Sequence, residues 1–320
     1  MICLGIESTA HTFGCGIVTS KNKILGDVRD MYKTEEGGIN PSKCAQHHKE
    51  VHLDVIKKAI EQSKNSKIDL VAYSRGPGLS PSLHVGLHAA QEISKELNVP
   101  LIGVNHCLSH LTSCELFNKV KDPVYLFTSG ANTQIIALEG GKFRIFGETL
   151  DVGIGNALDK FGRIIGLGFP AGPVIEELAK QGKYIELPYS VKGMDVSFSG
   201  IVTKTQELFK KNISKEDLCY SIQENCFAML TEVTERALAH CDKNEVVLIG
   251  GVAANKRFCE MLNIMCKDRN AKFYTVPLKY CGDNGVNISY QGIIEYLAGR
   301  REDKPEIKPY ERIDDIKVFW

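Results

Sequence analysis

The chain has 320 residues, 43% of them hydrophobic and 24% charged, and its 39 Lys and Arg balance 39 Asp and Glu. That length fits about two domains, or one large α/β unit. Zero formal charge excludes attachment to nucleic acid or membrane by bulk electrostatics, so any such contact needs a local patch or a partner. No apolar run approaches the ~20 residues of a membrane span, and Met1–Glu7 lacks the basic flank and cleavage site of a signal peptide. The eleven cysteines are scattered with no C-x-x-C pair. They read as small hydrophobes in a reducing compartment, the cytoplasm.

Ile2–Glu7 reads as a strand, Ser8–Thr12 as a small polar turn and Gly14–Thr19 as a returning strand, so the chain opens on a hairpin whose loop carries hydroxyls. A helix over 43–63 follows, then a strand at Ile68–Tyr73 closed by Ser74-Arg75-Gly76-Pro77-Gly78. Next come a helix at Pro81–Leu97, a strand at Leu101–Val104 and a short helix at Leu108–Phe117. The pattern then restarts. Val124–Thr128, the turn Ser129–Thr133 and Gln134–Leu138 repeat the opening hairpin about 120 residues on.

The second stretch continues with a strand at 142–150 and helices near 155–165 and 173–181. Ser214 with Asp217 opens a long helix to Cys241, whose buried stripe is Leu218, Ile222, Cys226, Met229, Val233 and Ala237. Val246–Ile249, a helix over 254–267, a strand over 272–276 and a helix over 284–298 complete an α/β alternation. The boundaries expected are 1–122 for a first half, 123–298 for a second and 299–320 for a charged tail crossing the surface.

His106 and His110 stand four residues apart, about 40° from each other on a helix, and two imidazoles so placed can grip one metal ion. Two surface or capping histidines would show the same spacing. The zinc-protease motif H-E-x-x-H has Glu where this chain has Cys107, so the general base of that mechanism is absent. His47 and His48 are adjacent, face different ways and read as structural. Gly250–Asn255 follows a strand and opens a helix, which suits an anionic ligand but matches neither common phosphate-loop pattern. Asp283 precedes the last helix, where an aspartate is most often a cap. Asp159 and Glu176 are isolated acids with glycines nearby.

Several stretches occur in the order found in one family: Gly38-Ile39-Asn40-Pro41, Arg75-Gly76-Pro77-Gly78, Asn105-His106 with His110, Ser129–Gln134, Gly147–Asp151, Lys192–Gly200, Gly250–Asn255 and Asp283-Asn284-Gly285. Together they resemble the universal tRNA threonylcarbamoyladenosine synthases, which comprise the KEOPS catalytic subunit of archaea and eukaryotes and the bacterial TsaD proteins. Lys192-Gly193-Met194-Asp195 leans to the KEOPS type.

The resemblance implies two RNase H-like halves of the actin, sugar kinase and heat-shock chaperone ATPase fold around a central nucleotide cleft. It implies transfer of a threonylcarbamoyl group from threonylcarbamoyl-adenylate to N6 of the adenosine 3′ of the anticodon, in tRNAs reading ANN codons, with release of AMP. It implies one divalent metal, iron or zinc, on His106, His110 and Asp283. The adenine nucleotide, as the adenylate or as ATP or AMP, would lie among Phe127, Thr128, Ser129, Gly130, Ala131, Asp159, Gly172, Glu176 and Asn255. Glu7 would be the catalytic acid or base, or equally a structural residue. The family usually places a Tyr ligand where this chain has Phe127, which cannot ligate, and a second Gly where it has Ala131. The partners implied are tRNA and the KEOPS subunits: a small atypical kinase, a kinase-binding subunit and a small dimerising subunit. A kinase or chaperone-like ATPase of the same fold is the main alternative, and it leaves the histidine pair unexplained.

Overall fold

A computed structural model describes residues 1–33, 40–130 and 132–320. The chain forms two compact units: Met1–Asn118 with Asp283–Trp320, and Lys119–Gly282. This differs from the boundary expected near 122 and 298, because the last helix, Gly285–Leu297, packs on the sheet of the first unit.

In the first unit the opening hairpin is β1 (Ile2–Glu7) and β2 (Thr12–Thr19), extended by β3 (Ile24–Met31). β3 was invisible to the apolar pattern because Asp27, Arg29 and Asp30 interrupt it, as suits an edge strand. Helix α1 (Pro41–Gln62), β4 (Leu70–Gly76), α2 (Ser80–Leu97), β5 (Leu101–Asn105) and α3 (His106–Thr112) follow. The sheet order is β3-β2-β1-β4-β5. The first three strands are antiparallel, and β1, β4 and β5 are parallel. Leu4, Ile6, Phe13, Ile17, Val71 and Tyr73 fill the core against α1 and α2.

The last helix lies against β1 and β2 at backbone distance. A Cβ on Gly16 would fall 2.2 Å from the Val286 nitrogen, and one on Gly5 would fall 2.3 Å from the Ser289 nitrogen. Only glycine at these positions lets the start of that helix settle onto the strands.

The second unit repeats the plan with β6 (Val124–Thr128), β7 (Thr133–Glu139), β8 (Lys142–Glu148), α4 (Ile154–Ile164) and α5 (Gly172–Ala179). A two-residue ladder, β9 (Val191–Lys192) with β10 (Asp195–Val196), leads to α6 (Ser199–Lys210) and α7 (Lys215–His240). Then come β11 (Glu245–Ile249), α8 (Lys256–Asp268) and β12 (Lys272–Thr275). Its sheet order, β12-β11-β6-β7-β8, is that of the first unit read from the other edge.

The stripe expected for α7 is fully buried, and the Ser214 hydroxyl accepts the Asp217 N–H at 3.1 Å. All eleven cysteines are free thiols, nine of them buried. Among the described residues no helix is long and apolar enough to cross a membrane.

Candidate metal centre

Asn105 ends β5 and caps α3, its Oδ1 accepting the Leu108 N–H at 3.0 Å. The helix therefore begins at His106, two residues earlier than the sequence pattern indicates. His106 and His110 then share one face, with ring centroids 4.7 Å apart and planes at 76°. Leu108 and Leu111 are buried on the opposite side.

The last helix is capped by Asn284, whose Oδ1 accepts the Asn287 N–H at 3.0 Å. Asp283 is thereby relieved of the capping role that its position suggests. Its Oδ1 lies 3.6 Å from His106 Nε2 and 3.5 Å from His110 Nε2. One donor atom from each of the three residues falls within 4.8 Å of the others. His106 and Asp283 are partly open to solvent, whereas His110 is buried.

Glu7, at the end of β1, stands behind this group and is 1% exposed. Its Oε2 is 2.9 Å from His106 Nδ1. Its Oε1 accepts the Thr9 N–H at 2.6 Å and also the Thr9 hydroxyl. With Nδ1–H donated to Glu7, Nε2 is the His106 nitrogen on the Asp283 side, the one left to bind an ion in exchange for its proton. Both oxygens of the Glu7 carboxylate are thus engaged, one by His106 and one by Thr9.

The field at the trio favours a cation. Burial lowers the His106 pKa, but the Glu7 charge and hydrogen bond, then Asp283, outweigh it and push the imidazole up to about 9. Burial pulls the Asp283 carboxyl up, yet the His110 hydrogen bond and the charges of His106 and His110 hold it well below the usual carboxylate range. Two imidazole nitrogens and one carboxylate oxygen, with an orienting carboxylate behind, fit a divalent ion with open positions.

The other expected residues lie in the second unit, at the C-terminal ends of parallel β6 and β11 or on helices tied to them. Ligands of open α/β sheets bind at such strand ends. Phe127 pairs with Ile249 across that strand pair and is buried. The Thr128 hydroxyl donates to the Ile249 carbonyl at 3.1 Å. Ser129 and Gly130 carbonyls accept the Gly155 and Asn156 N–H groups at 3.2 and 3.0 Å, which pins the start of α4 to the turn. Gly250 has φ +93°, and a Cβ there would lie 2.3 Å from the Thr128 carbonyl oxygen.

Asp159 accepts the Ala171 N–H at 2.7 Å and so holds the segment entering α5, which begins at Gly172. Glu176 Oε1 accepts the Lys256 N–H at 2.9 Å. Asn255 caps α8 through Oδ1 and donates from Nδ2 to Gln223 at 2.9 Å. Gln223 was not singled out from sequence, since on α7 it sits inside an otherwise apolar stripe. Ala131, and Gly38 and Ile39 of an earlier motif, lie outside the described residues.

The family model for TsaD, tRNA N6-adenosine threonylcarbamoyltransferase, matches residues 23–290. The chain is 52% identical, over all of both chains, to the tRNA N6-adenosine threonylcarbamoyltransferase of Thermococcus sibiricus. It is 49% identical to a probable bifunctional tRNA threonylcarbamoyladenosine biosynthesis protein of Methanocaldococcus jannaschii, of which it spans 60%. Among solved structures, T. kodakarensis HypF superposes with a TM-score of 0.66 at 15% identity, over 93% of this chain and 48% of that one. An activator of the 2-hydroxyisocaproyl-CoA dehydratase from Clostridium difficile superposes at 0.53 and 12% identity, over 95% and 100%. These likenesses show the fold, that of the actin, sugar kinase and heat-shock chaperone ATPases. The family model and the full-length relatives show more: the chain belongs to the tRNA N6-adenosine threonylcarbamoyltransferase family.

Proposed function

We propose that this protein transfers the threonylcarbamoyl group of threonylcarbamoyl-adenylate to N6 of the adenosine 3′ of the anticodon, in tRNAs reading ANN codons. It does so in the cytoplasm as the catalytic subunit of a KEOPS assembly, with a small atypical kinase, a kinase-binding subunit and a small dimerising subunit as partners. The observation that carries this reading is the convergence of His106, His110 and Asp283 on one point, with Glu7 fixing the His106 tautomer.

In the reaction, the N6 amine forms a bond to the carbamoyl carbon and gives up a proton. The bond from that carbon to the phosphate oxygen breaks, and AMP departs with the oxygen. His106 Nε2, His110 Nε2 and the Asp283 carboxylate would hold the metal. Such an ion, iron or zinc, would supply Lewis-acid stabilisation of developing negative charge. The donor set suits either element.

Small residues such as Ser129 and Gly130 after Thr128 would let backbone N–H groups approach the nucleotide phosphate. Glu176, with one oxygen on Lys256, has the other for a ribose hydroxyl. Asp159, Gly172 and Asn255 shape the surround. Phe127, where the family usually has a Tyr, offers no ligand atom.

The test is formation of threonylcarbamoyladenosine from tRNA, threonine, bicarbonate and ATP, with the adenylate-forming enzyme and the partner subunits. Product is expected with the parent chain and not with His106→Ala. ATP hydrolysis without tRNA modification, unaffected by His106→Ala, would favour the kinase or ATPase reading.

A further inference from the structure

The stretch after the last helix was expected to cross the surface as a charged tail. Two of its acids, Glu302 and Glu311, nevertheless turn inward. Glu302 accepts the Gly103 N–H at 2.5 Å and the Tyr73 hydroxyl at 3.2 Å. The Lys308 N–H donates to the Arg75 carbonyl at 2.6 Å, and the Gly78 N–H donates to the Pro309 carbonyl at 3.1 Å. Gly76 has φ +148°, and a Cβ there would fall 1.9 Å from the Lys308 carbonyl oxygen. Residues 302–313 thus form a strap pressed onto the ends of β4 and β5, finished by the buried Ile313.

Two routes lead from this strap to the histidines. The first runs through Glu311, which takes the Arg75 guanidinium in a two-pronged pair at 2.9 and 2.9 Å. The same Oε2 accepts the Asn105 Nδ2 at 3.1 Å. Asn105 is wholly buried, and its other end caps the helix that starts at His106. The second route runs through the turn at 75–79. Its Leu79 N–H donates to the Thr9 carbonyl at 2.7 Å, and Thr9 holds Glu7 against His106. A seven-residue helix has little stability of its own and depends on its cap. Without Glu311, the Asn105 amide loses a buried partner and Arg75 loses its countercharge.

We propose that this C-terminal strap is the positioning element of the metal centre, with Glu311 holding Asn105 and, through it, the first turn of α3 and His106. The proposal rests on the trio being a metal site. It makes Glu311 a positioning residue that does not touch the ion. Groups behind a first ligand commonly change metal affinity 10- to 100-fold, and Glu311 stands one step further back, so the lower figure applies.

The test uses the full chain and zinc, with affinity read by chelator competition and α3 amide exchange followed in metal-free protein. Glu311→Ala should bind zinc about ten-fold more weakly, with faster exchange at 108–112. Glu311→Gln, whose carbonyl oxygen can take the Oε2 place, should recover most of both. Asn105→Ser keeps a capping hydroxyl for the Leu108 N–H but cuts the link to Glu311, and it should repeat the zinc loss even where Glu311→Ala does not fold. Parent-like zinc affinity and exchange in Asn105→Ser, or in a folded Glu311→Ala, overturns the positioning role. A parent that takes up no zinc would instead refute the metal reading itself.

Discussion

At the level of single residues, the centre depends on small displacements. His106→Ala and His110→Ala should each bring bound metal well below one equivalent and abolish transfer, while the circular dichroism melt stays close to that of the parent. Glu7→Gln tests a subtler point. The amide keeps the volume but offers a weaker acceptor to His106 Nδ1, so metal affinity should fall about ten-fold; an unchanged zinc titration would mean that Glu7 does not orient the ring. Spacing alone placed the two histidine rings together on one helical face, but surface or capping histidines would show the same spacing, so it did not mark them as ligands. Asp283 had no such signal. Its sequence position matches an N-cap, so only the family resemblance pointed to it as a ligand, and in the structure Asn284 does the capping. Asp159 and Asn255 show the converse, since residues expected around a nucleotide also carry backbone bonds that hold their own unit together.

At the level of elements, the last helix brings Asp283 to α3, and glycines set its height above the strands. Gly16→Ala places a methyl 2.2 Å from the Val286 nitrogen, where backbone must move. The expected loss is about 1–3 kcal/mol in urea unfolding, together with weaker metal binding; a variant of parental stability would show that the helix start yields without cost.

Helix α1 carries a pH-dependent component. His48 is fully buried, its Nε2 donates to the Ala10 carbonyl at 2.9 Å, and Nδ1 has no partner among the described residues. Burial outweighs the Ala10 bond and, with His47 acting the same way, lowers its pKa to about 4. A free histidine titrates near 6.5, so the folded state binds the proton less readily than the unfolded one. This contribution is intact above about pH 6.5 and declines as pH falls from there toward 4. Between pH 7 and 5 the parent should lose about 1–2 kcal/mol more than His48→Gln, as measured by urea unfolding at both pH values.

Long periodic elements such as α7 were readable because packing and propensity agree there. By contrast, α6 was missed, since Ile201, Val202, Thr203 and Thr205 favour strand and only burial of Ile201, Val202 and Thr205 selects the helix.

At the level of the whole molecule, two units share one sheet order, which the repeated hairpins had signalled despite little residue identity. The boundary was harder to read. Sequence order assigns 283–298 to the second half, yet the chain returns to the first unit, because the glycine-floored strands accept that helix. The return carries Asp283 back to the histidines of a strand-helix junction, 177 residues after His106 and 173 after His110. The account therefore turns on whether that aspartate completes a metal centre. Metal analysis of anaerobically purified parent and Asp283→Ala decides this most directly. One equivalent of iron or zinc in the parent, lost in Asp283→Ala together with threonylcarbamoyl transfer, is the predicted result. Undiminished metal and activity in Asp283→Ala would contradict it.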